Sequence, residues 1–587
     1  MRTTRISSAL GLSAVAALAL SACAGSSNTA GGGSGSSGDK SVSIAITNVF
    51  SSLNTGTASG NTDTNSIITQ MTSRGFYTIT DKFDIHHNDW FGSYEKKDDG
   101  DGIKVEYTVN EGQKWSDGNE IDKGDLLLAW AVQSGYFNGE GEDAVTYFDW
   151  AGDTTGLAPA GKPTLSEDGR SITFNYPQAF ADWEIAYDVA GNGYGTPAHV
   201  VAELAGMDEE TLVQTLETAT PGEENENLRK IADAWNTGFN TTTMPSNKAL
   251  TVGNGPYLVT GVQENQSVTL TANPEYQGET KPAINEVILK VLPDAAGQVQ
   301  ALQNGDVNAV APQASIDTVS QLESLENAVT KTQPDQSYDH LDLNMKEGSP
   351  FADENVRKAF LLTVPRQDIV NKLIKPMDDK AEVLNSQLYL VSDADNYKKT
   401  VESNNSDMYP LDDMDANIAK AKELLDGKTP TIRILYNSKN SNRVNSFQMI
   451  KESAEKAGFK VEDAGSEQWG TLLSGGDYEA SIFGWVSSGV DNVALGQIFK
   501  TGSSSNFTQY SNASVDASAD QIMKTTDEAK INELKMSADA ETFKDGYGLP
   551  LFQSIAVTSY SDFLTGVKPK PGQQPLTWNI EEWDIAN

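Results

Sequence analysis

Few residues of the chain have the type and spacing that catalysis or metal binding requires. The run Asp98-Asp99-Gly100-Asp101-Gly102 resembles the start of a calcium loop, but Ile103 and the missing distal glutamate break that pattern. No two of the four histidines have the spacing that places metal ligands on one helix face: His86, His87, His199 and His340. We therefore predict no catalytic residue, no metal site and no cofactor. Acidic residues are abundant, which leaves open a carboxylate pair for glycoside hydrolysis, since their separation depends on tertiary structure.

Cys23 is the only cysteine, and its surroundings predict a covalent modification. Basic residues near the start precede an apolar run, Leu10 to Leu20, that is too short to span a bilayer stably, so residues 1–22 read as a signal peptide. Leu20-Ser21-Ala22-Cys23 matches the bacterial lipobox at every position. We predict that Cys23 carries the lipid and that residues 23–40, rich in Gly and Ser, form a flexible tether. The folded part would be extracytoplasmic, anchored to the cell membrane.

Composition limits the architecture and the partners of the chain. With 587 residues the chain exceeds what one hydrophobic core usually serves, so two or three lobes are expected. Acidic residues number 82 against 43 basic ones, which gives a formal net charge of -39. Such a charge argues against nucleic acid or an anionic membrane surface as a partner. We expect a monomer.

Hydrophobic patterns predict the elements that must position a binding site. Residues 41–46 and 171–176 alternate as strands do. Asp122 opens a helix whose apolar face includes Leu126, Leu127 and Trp130, since acidic residues favour the positive end of a helix dipole. The segment 182–187 is predicted to start another helix.

The clearest turn motif lies near the middle of the chain. Gly253-Asn254-Gly255-Pro256-Tyr257 turns and then extends, because the residue before a proline prefers extended geometry. Residues 266–271 alternate polar and apolar, and Asn273-Pro274 ends the run. Together these segments predict a hairpin of two strands.

This motif, the hairpin and the exit Asn273-Pro274-Glu275-Tyr276 resemble the large extracytoplasmic solute-binding proteins of family 5, which serve oligopeptide and dipeptide ABC importers. Two further motifs follow in that family's order: Lys114-Trp115-Ser116-Asp117-Gly118 and Val356-Arg357-Lys358-Ala359. The resemblance covers most of residues 41 to 565. It implies a scaffold role for Trp115, and we assign both Trp115 and Trp130 to packing.

The resemblance implies an α/β, two-lobe periplasmic-binding-protein-like fold (type II, cluster C). Lobe I would comprise residues 41–292, with an inserted subdomain at about 86–215. Lobe II would comprise residues 293–552, and residues 553–587 would return to lobe I.

The same resemblance implies where ligand binds. In the family the loop after the first strand, here 48–60, enters the cleft, and we predict that Asn54 within it contacts ligand. Peptide-binding members place an aspartate three residues after the tryptophan of Gly484-Trp485, where it pairs with the peptide's amino terminus. Here Ser488 stands at that position, and the next acid is Asp491. We predict that Trp485, Ser488 and Asp491 contact ligand, with Asp491 holding an ammonium or the ligand lacking a charged amine.

The function implied is that of a lipid-anchored receptor, not an enzyme, which captures oligopeptides or dipeptides and delivers them to the permease of an ABC importer. Ser488 and the polar, aromatic-bearing loops motivate an alternative, a receptor of the same fold for oligosaccharide or another solute. A secreted hydrolase or a surface adhesin is the remaining alternative.

Overall fold

The computed structural model describes residues 40–139, 144–191, 195–487, 490–572 and 576–586. The predicted signal peptide, Cys23, the tether apart from Lys40, and Ser488 lie outside these residues, so their assignments stay predictions. We use lobe I and lobe II below for residues 41–292 and 293–552. These predicted boundaries also stay predictions.

The strands include every strand that the hydrophobic alternation predicts above. In chain order they are β1 (Ser41–Ile46), β2 (Tyr77–Ile79), β3 (Ile85–His87), β4 (Gly92–Asp99), β5 (Gly102–Val109), β6 (Thr164–Leu165), β7 (Ser171–Tyr176), β8 (Tyr257–Gln263), β9 (Ser267–Ala272), β10 (Glu286–Val291), β11 (Ala309–Val310), β12 (Ala328–Leu343), β13 (Thr431–Tyr436), β14 (Lys460–Asp463), β15 (Ala480–Val486), β16 (Gly548–Ser561), β17 (Leu564–Thr565) and β18 (Asp584–Ile585).

The helices lie between these strands. They are α1 (Asp63–Thr72), α2 (Lys123–Gln133), α3 (Ala198–Ala205), α4 (Glu209–Thr218), α5 (Glu226–Thr237), α6 (Ala295–Asn304), α7 (Ile316–Glu323), α8 (Glu354–Leu362), α9 (Arg366–Ile369), α10 (Ala394–Val401), α11 (Met414–Leu425), α12 (Ser441–Ala457), α13 (Trp469–Gly475), α14 (Ala494–Phe499), α15 (Ala513–Ile522) and α16 (Glu528–Asp545). Residues 182–187 form turns rather than the predicted helix.

One mixed sheet of ten strands runs through both lobes, in the order β14-β13-β15-β12-β16-β11-β1-β10-β9-β8. The parallel pairs β1–β10 and β13–β15 lie on opposite sides of the long antiparallel pair β12–β16. Helices packed on such a sheet make a two-lobe α/β fold, as the resemblance implies.

A second sheet, β4-β5-β7-β6, belongs to lobe I alone. It shares one hydrophobic core with α2 to α5, and that core extends from Phe76 to Phe239. Trp115 and Trp130 are fully buried in it, which confirms their predicted role in packing. The α2 helix begins as predicted, because Asp122 and Asp125 form a reciprocal capping box at its first turn.

The mid-chain motif docks the β8–β9 hairpin against the end of α1. The side chain of Asn254 donates to the carbonyl of Arg74 at 2.7 Å and accepts from its N–H at 3.0 Å. A Cβ on Gly255 would lie 2.5 Å from the carbonyl oxygen of Met71, so the close approach requires glycine. This contact fixes α1, one of whose faces lines the cavity described next.

Candidate functional site

A cavity of about 510 Å³ lies between the two lobes. From lobe I it is lined by α1, by β2 and by the turns of residues 182–188, and from lobe II by residues within 486–487 and 490–497. Lys570, Pro571 and Gly572 close it from the C-terminal segment. A concave site of this size that draws on three parts of the chain is typical of a small-ligand site.

Among the residues that the structure describes, the charged side chains that line this cavity are four carboxylates and one ammonium: Asp153, Asp182, Asp188, Asp491 and Lys570. The Nζ of Lys570 donates to the carbonyl of Ile79 at 2.8 Å. Burial lowers the pKa of Lys570 to about 8, because an ammonium loses hydration in the protein interior. The cavity therefore presents mainly negative charge to a ligand.

Asp182 connects the two lobes directly. It accepts hydrogen bonds from the backbone N–H of Asn492 at 2.8 Å and from its Nδ2 at 2.7 Å. Burial raises the pKa of Asp182 to about 6, although the two bonds from Asn492 oppose that shift. A second bond across the lobes runs from Gln497 Nε2 to Asp153 Oδ2, at 2.8 Å. The two segments are thus joined by direct hydrogen bonds on this side of the cavity.

Asp188 is the most deeply buried carboxylate of the lining, with 3% of the residue exposed. Its Oδ1 accepts from the N–H groups of Phe76 and Ala190 at 3.3 and 3.4 Å, and the carboxylate lies against the backbone of Gly75 and Gly191. Burial raises its pKa to about 6, and nearby backbone N–H groups offset part of that shift. A side chain of Gln133 pairs with the backbone of Asp188 and holds it in place.

Asp491 is the predicted site residue that lines the cavity. It lies in the field of Lys535, a half-buried lysine whose pKa is lowered by desolvation, while Asp491 and Asp182 act in the opposite direction. A role for Asp491 in binding ligand stays a prediction.

Trp485 packs in an aromatic stack beside the cavity. Its ring lies parallel to those of His340 and Phe507, with centroids 5.9 and 6.0 Å away. Its neighbours on β15, Gly484 and Val486, line a cavity on the opposite face, because side chains alternate along a strand. The structure thus gives Trp485 a packing role, and contact with ligand stays a prediction.

Asn54 is buried, and its amide is used within lobe I. Its Nδ2 donates to the carbonyl of Trp235 at 2.8 Å, and its Oδ1 accepts from the N–H of Gly56 at 2.9 Å. These bonds hold the loop against α5, and Asn54 is not among the residues that line the cavity. Its predicted ligand contact is untested, as is that of Ser488.

A second cavity, of about 240 Å³, adjoins the first and shares Val486 and Gly572 with it. Asp339 and Arg443 form a bidentate ion pair there, with the bonds from Nε and Nη2 measuring 3.0 and 2.8 Å. Asp335 lines this compartment as well, so its charged side chains sum to one net negative charge, although Asp339 and Arg443 pair with each other.

Neither metal binding nor membrane spanning finds support in the described part of the chain. Within these residues no three His, Cys, Asp or Glu side chains come together as metal ligands. No helix among them is both long and apolar enough to cross a bilayer.

The sequence interpretation missed the segment 182–188 and Lys570 as parts of the cavity wall. The segment was missed because residues 182–187 were predicted to start a helix, whereas they form turns that carry Asp182 and Asp188 to the cavity wall. The composition offers no signal for Lys570, because its place depends on the return of the C-terminal segment to the cleft.

We expect replacement of Asp188 by asparagine to change how stability depends on pH. The folded-state pKa lies above the ordinary value, so the contribution of Asp188 to the free energy of unfolding falls as pH rises from 3.8 to about 6. As pH rises through this range, the free energy of unfolding of Asp188→Asn should therefore increase relative to that of wild type by up to about 3 kcal/mol. Urea denaturation at several pH values measures this difference.

Asn keeps the Oδ1 acceptor, and Asp99→Asn, at an exposed position, is the matched control. If the free energy of unfolding of wild type and that of Asp188→Asn changed with pH in the same way, the expectation would be contradicted.

The family model of bacterial extracellular solute-binding proteins, family 5 (Middle), matches residues 90–507. The oligopeptide-binding protein OppA of Mycobacterium tuberculosis is 26% identical over 466 residues, which cover 78% of this chain and 70% of that protein.

Solved structures share the fold. A periplasmic EDTA-binding protein, EppA, aligns with a TM-score of 0.79 at 19% identity, covering 94% of this chain and 98% of its own. The oligopeptide-binding protein AppA of Bacillus subtilis, in complex with a nonapeptide, aligns with a TM-score of 0.68 at 20% identity, covering 93% and 99%. The family model confirms the resemblance carried by the sequence motifs, and because it spans most of the sequence, the chain belongs to the bacterial extracellular solute-binding proteins of family 5.

Proposed function

We propose that the chain is the receptor of an ABC importer and captures peptides in the cavity between its lobes. The observation that carries this proposal is the cavity itself, lined from both lobes and bridged by the bonds from Asn492 to Asp182. A ligand that contacts both lobes at once stabilises the closed state by its differential affinity. The closed receptor would then dock on the permease and release its ligand there.

Peptide is the favoured ligand class for two reasons. OppA and AppA are both named for oligopeptide binding. The cavity is also lined by carboxylates from both lobes, among them Asp153 on lobe I and Asp491 on lobe II, which suit ammonium groups through charge-assisted hydrogen bonds. We propose that Asp491 takes the place of the family's aspartate, where this chain has Ser488.

A second candidate is a receptor for another solute, because the fold of EppA serves the binding of EDTA. A polyanion of that kind fits this cavity poorly, since like charges repel and four carboxylates line the wall. An oligosaccharide would need stacking aromatic rings rather than a charged anchor. We propose binding rather than catalysis, since the relatives reported above are named as binding proteins.

Ligand class can be tested by isothermal titration calorimetry of the anchor-free protein with tripeptides and with oligosaccharides. We expect tripeptides to bind, and Asp491→Ala to weaken their binding by about 10-fold or more, because a hydrogen bond to a charged group contributes roughly 1.5–3 kcal/mol. Binding of sugars alone, unaffected by Asp491→Ala, would overturn the peptide proposal. Turnover of either ligand, followed by mass spectrometry, would identify a hydrolase instead.

The bridge between lobes should contribute to closure. Asn492→Ala removes the side-chain bond to Asp182 but leaves the backbone bond, so we expect ligand affinity to fall by about 10-fold. Small-angle scattering should show a larger radius of gyration for this variant at subsaturating ligand. Asn371→Ala, on an exposed part of lobe II, is the control. Unchanged affinity and radius for Asn492→Ala would contradict this role.

We also propose that a lipid on Cys23 holds the receptor on the outer face of the cell membrane. Cys23→Ser removes the thiol that would be acylated, so the protein should move from the membrane fraction to the medium. Fractionation followed by immunoblotting measures this, with Ser21→Ala, which keeps a small residue in the lipobox, as the control. Unchanged incorporation of labelled fatty acid into Cys23→Ser would exclude lipid attachment at Cys23.

A further inference from the structure

Arg443, which lines the second cavity, has one nitrogen that no described residue uses. Its Nε and Nη2 both donate to the carboxylate of Asp339, at 3.0 and 2.8 Å. Nη1 has no hydrogen bond to any described residue, and it is not one of the fully buried polar atoms without a partner, so it keeps exposed surface. A guanidinium carries five N–H donors, and the two on Nη1 are therefore available to a ligand.

The guanidinium of Arg443 is held in a fixed position. Asp339 lies on β12 opposite Gly484 of β15, and the ring of Trp469 lies 5.5 Å from the guanidinium carbon. A Cβ on Gly484 would lie 2.9 Å from Nη2 of Arg443 and 2.9 Å from Oδ1 of Asp339, so the ion pair fills space that only glycine leaves open. A donor that is already fixed loses little conformational entropy when a ligand binds.

Arg433, elsewhere in the chain, shows what such a nitrogen does when a second acid is present. Its Nε and Nη2 donate to Glu479, both at 2.9 Å, in the same arrangement that Arg443 makes with Asp339. Its Nη1 pairs with a second carboxylate, that of Asp477, at 3.0 Å. One guanidinium therefore holds two carboxylates there. At Arg443 no described residue takes the place of the second.

The third charged group of the second cavity has donors of its own. Asp335 accepts from the backbone N–H groups of Gly572 and Gln336 at 2.6 and 2.9 Å, and from the hydroxyl of Ser337 at 2.5 Å. Both of its carboxylate oxygens are thus hydrogen-bonded without using the guanidinium. The net negative charge of the cavity still opposes an anion, so the expected gain is that of one charge-assisted bond.

We propose that the second cavity is a carboxylate subsite, in which Nη1 of Arg443 donates to the ligand. This inference rests on the proposed function, in which Asp491 holds an ammonium group in the main cavity. Val486 and Gly572 line both cavities, so a peptide held at Asp491 has the second cavity as its neighbouring space. The carboxylate comes either from the end of the peptide or from an acidic side chain, and both sources present the same oxygens to the guanidinium.

The test is calorimetric titration of the wild-type, anchor-free protein with two matched pairs of tripeptides. Ala-Ala-Ala and its C-terminal amide differ only in the terminal carboxylate. The C-terminal amides of Ala-Glu-Ala and Ala-Gln-Ala differ only in the side-chain carboxylate. We expect the acid member of at least one pair to bind about 10-fold more tightly, as one hydrogen bond to a charged group implies. The pair that shows the difference identifies the source of the carboxylate.

Variants assign this preference to Arg443. In Arg443→Gln the ratio of the dissociation constants for the amide and acid peptides should fall to about 1, with the constant for the amide nearly unchanged. In Asp339→Asn the ratio should instead rise, because a competing negative charge is removed from the same guanidinium. Arg433→Gln removes a guanidinium with the same bidentate pairing that lines neither cavity, so it should keep the wild-type ratio.

The outcomes separate this inference from the proposed function. Equal affinity for the acid and the amide in both pairs would overturn the inference while leaving a peptide receptor. An acid preference that keeps its full size in Arg443→Gln would overturn it too, since another group would then bind the carboxylate. If Arg443→Gln does not fold, the double variant with Asp339→Asn, which leaves neither charge unpaired, is titrated in its place. Binding of no peptide at all would overturn the proposed function and the inference together.

Discussion

The long antiparallel pair β12–β16 is the constraint on which the rest of the structure depends. Near one end, β16 pairs with β11, which pairs with β1 of lobe I. Near the other end, β12 pairs with β15, which pairs with β13 of lobe II. One hydrogen-bonded ladder therefore belongs to both lobes and fixes how their inner faces meet. The register of this pair shifts between Pro334 and Tyr338 and again between Asp339 and His340, and Pro334 has no N–H to donate to the ladder.

The cavity walls follow from this arrangement. The β15 strand ends at Val486, beside the middle of β12, so the loop that follows must face lobe I. Asn492 in that loop meets Asp182 of lobe I, which lies in turns rather than in a helix. Both bonds from Asn492 go to the carboxylate of Asp182, which the turns of residues 182–188 hold toward that loop. The irregular segment is thus what allows the lobes to bond directly.

Charge in the cavity has an energetic consequence for closure. Bringing carboxylates together out of water is unfavourable, and part of that cost is met by Asn492, by Lys535 and by backbone N–H groups. The remaining negative charge makes closure depend on what fills the cavity. A receptor benefits from this, because a closed form that is unfavourable without ligand is populated mainly when ligand is present.

The sequence by itself determined the local structure and the family. The β8–β9 hairpin, the capped start of α2 and the packing of Trp115 and Trp130 follow from turn residues, capping residues and hydrophobic periodicity, all of which act over a few neighbours. Only the tertiary structure decided which acidic residues line the cavity. In a chain with 82 acidic residues, sequence cannot distinguish Asp188 from the others, because its burial depends on contacts with Phe76 and Gln133, which are distant in the chain. The position of Trp485 could not be predicted from sequence for the same reason. Which face of β15 meets the cleft depends on how β12 and the neighbouring loops pack against that strand.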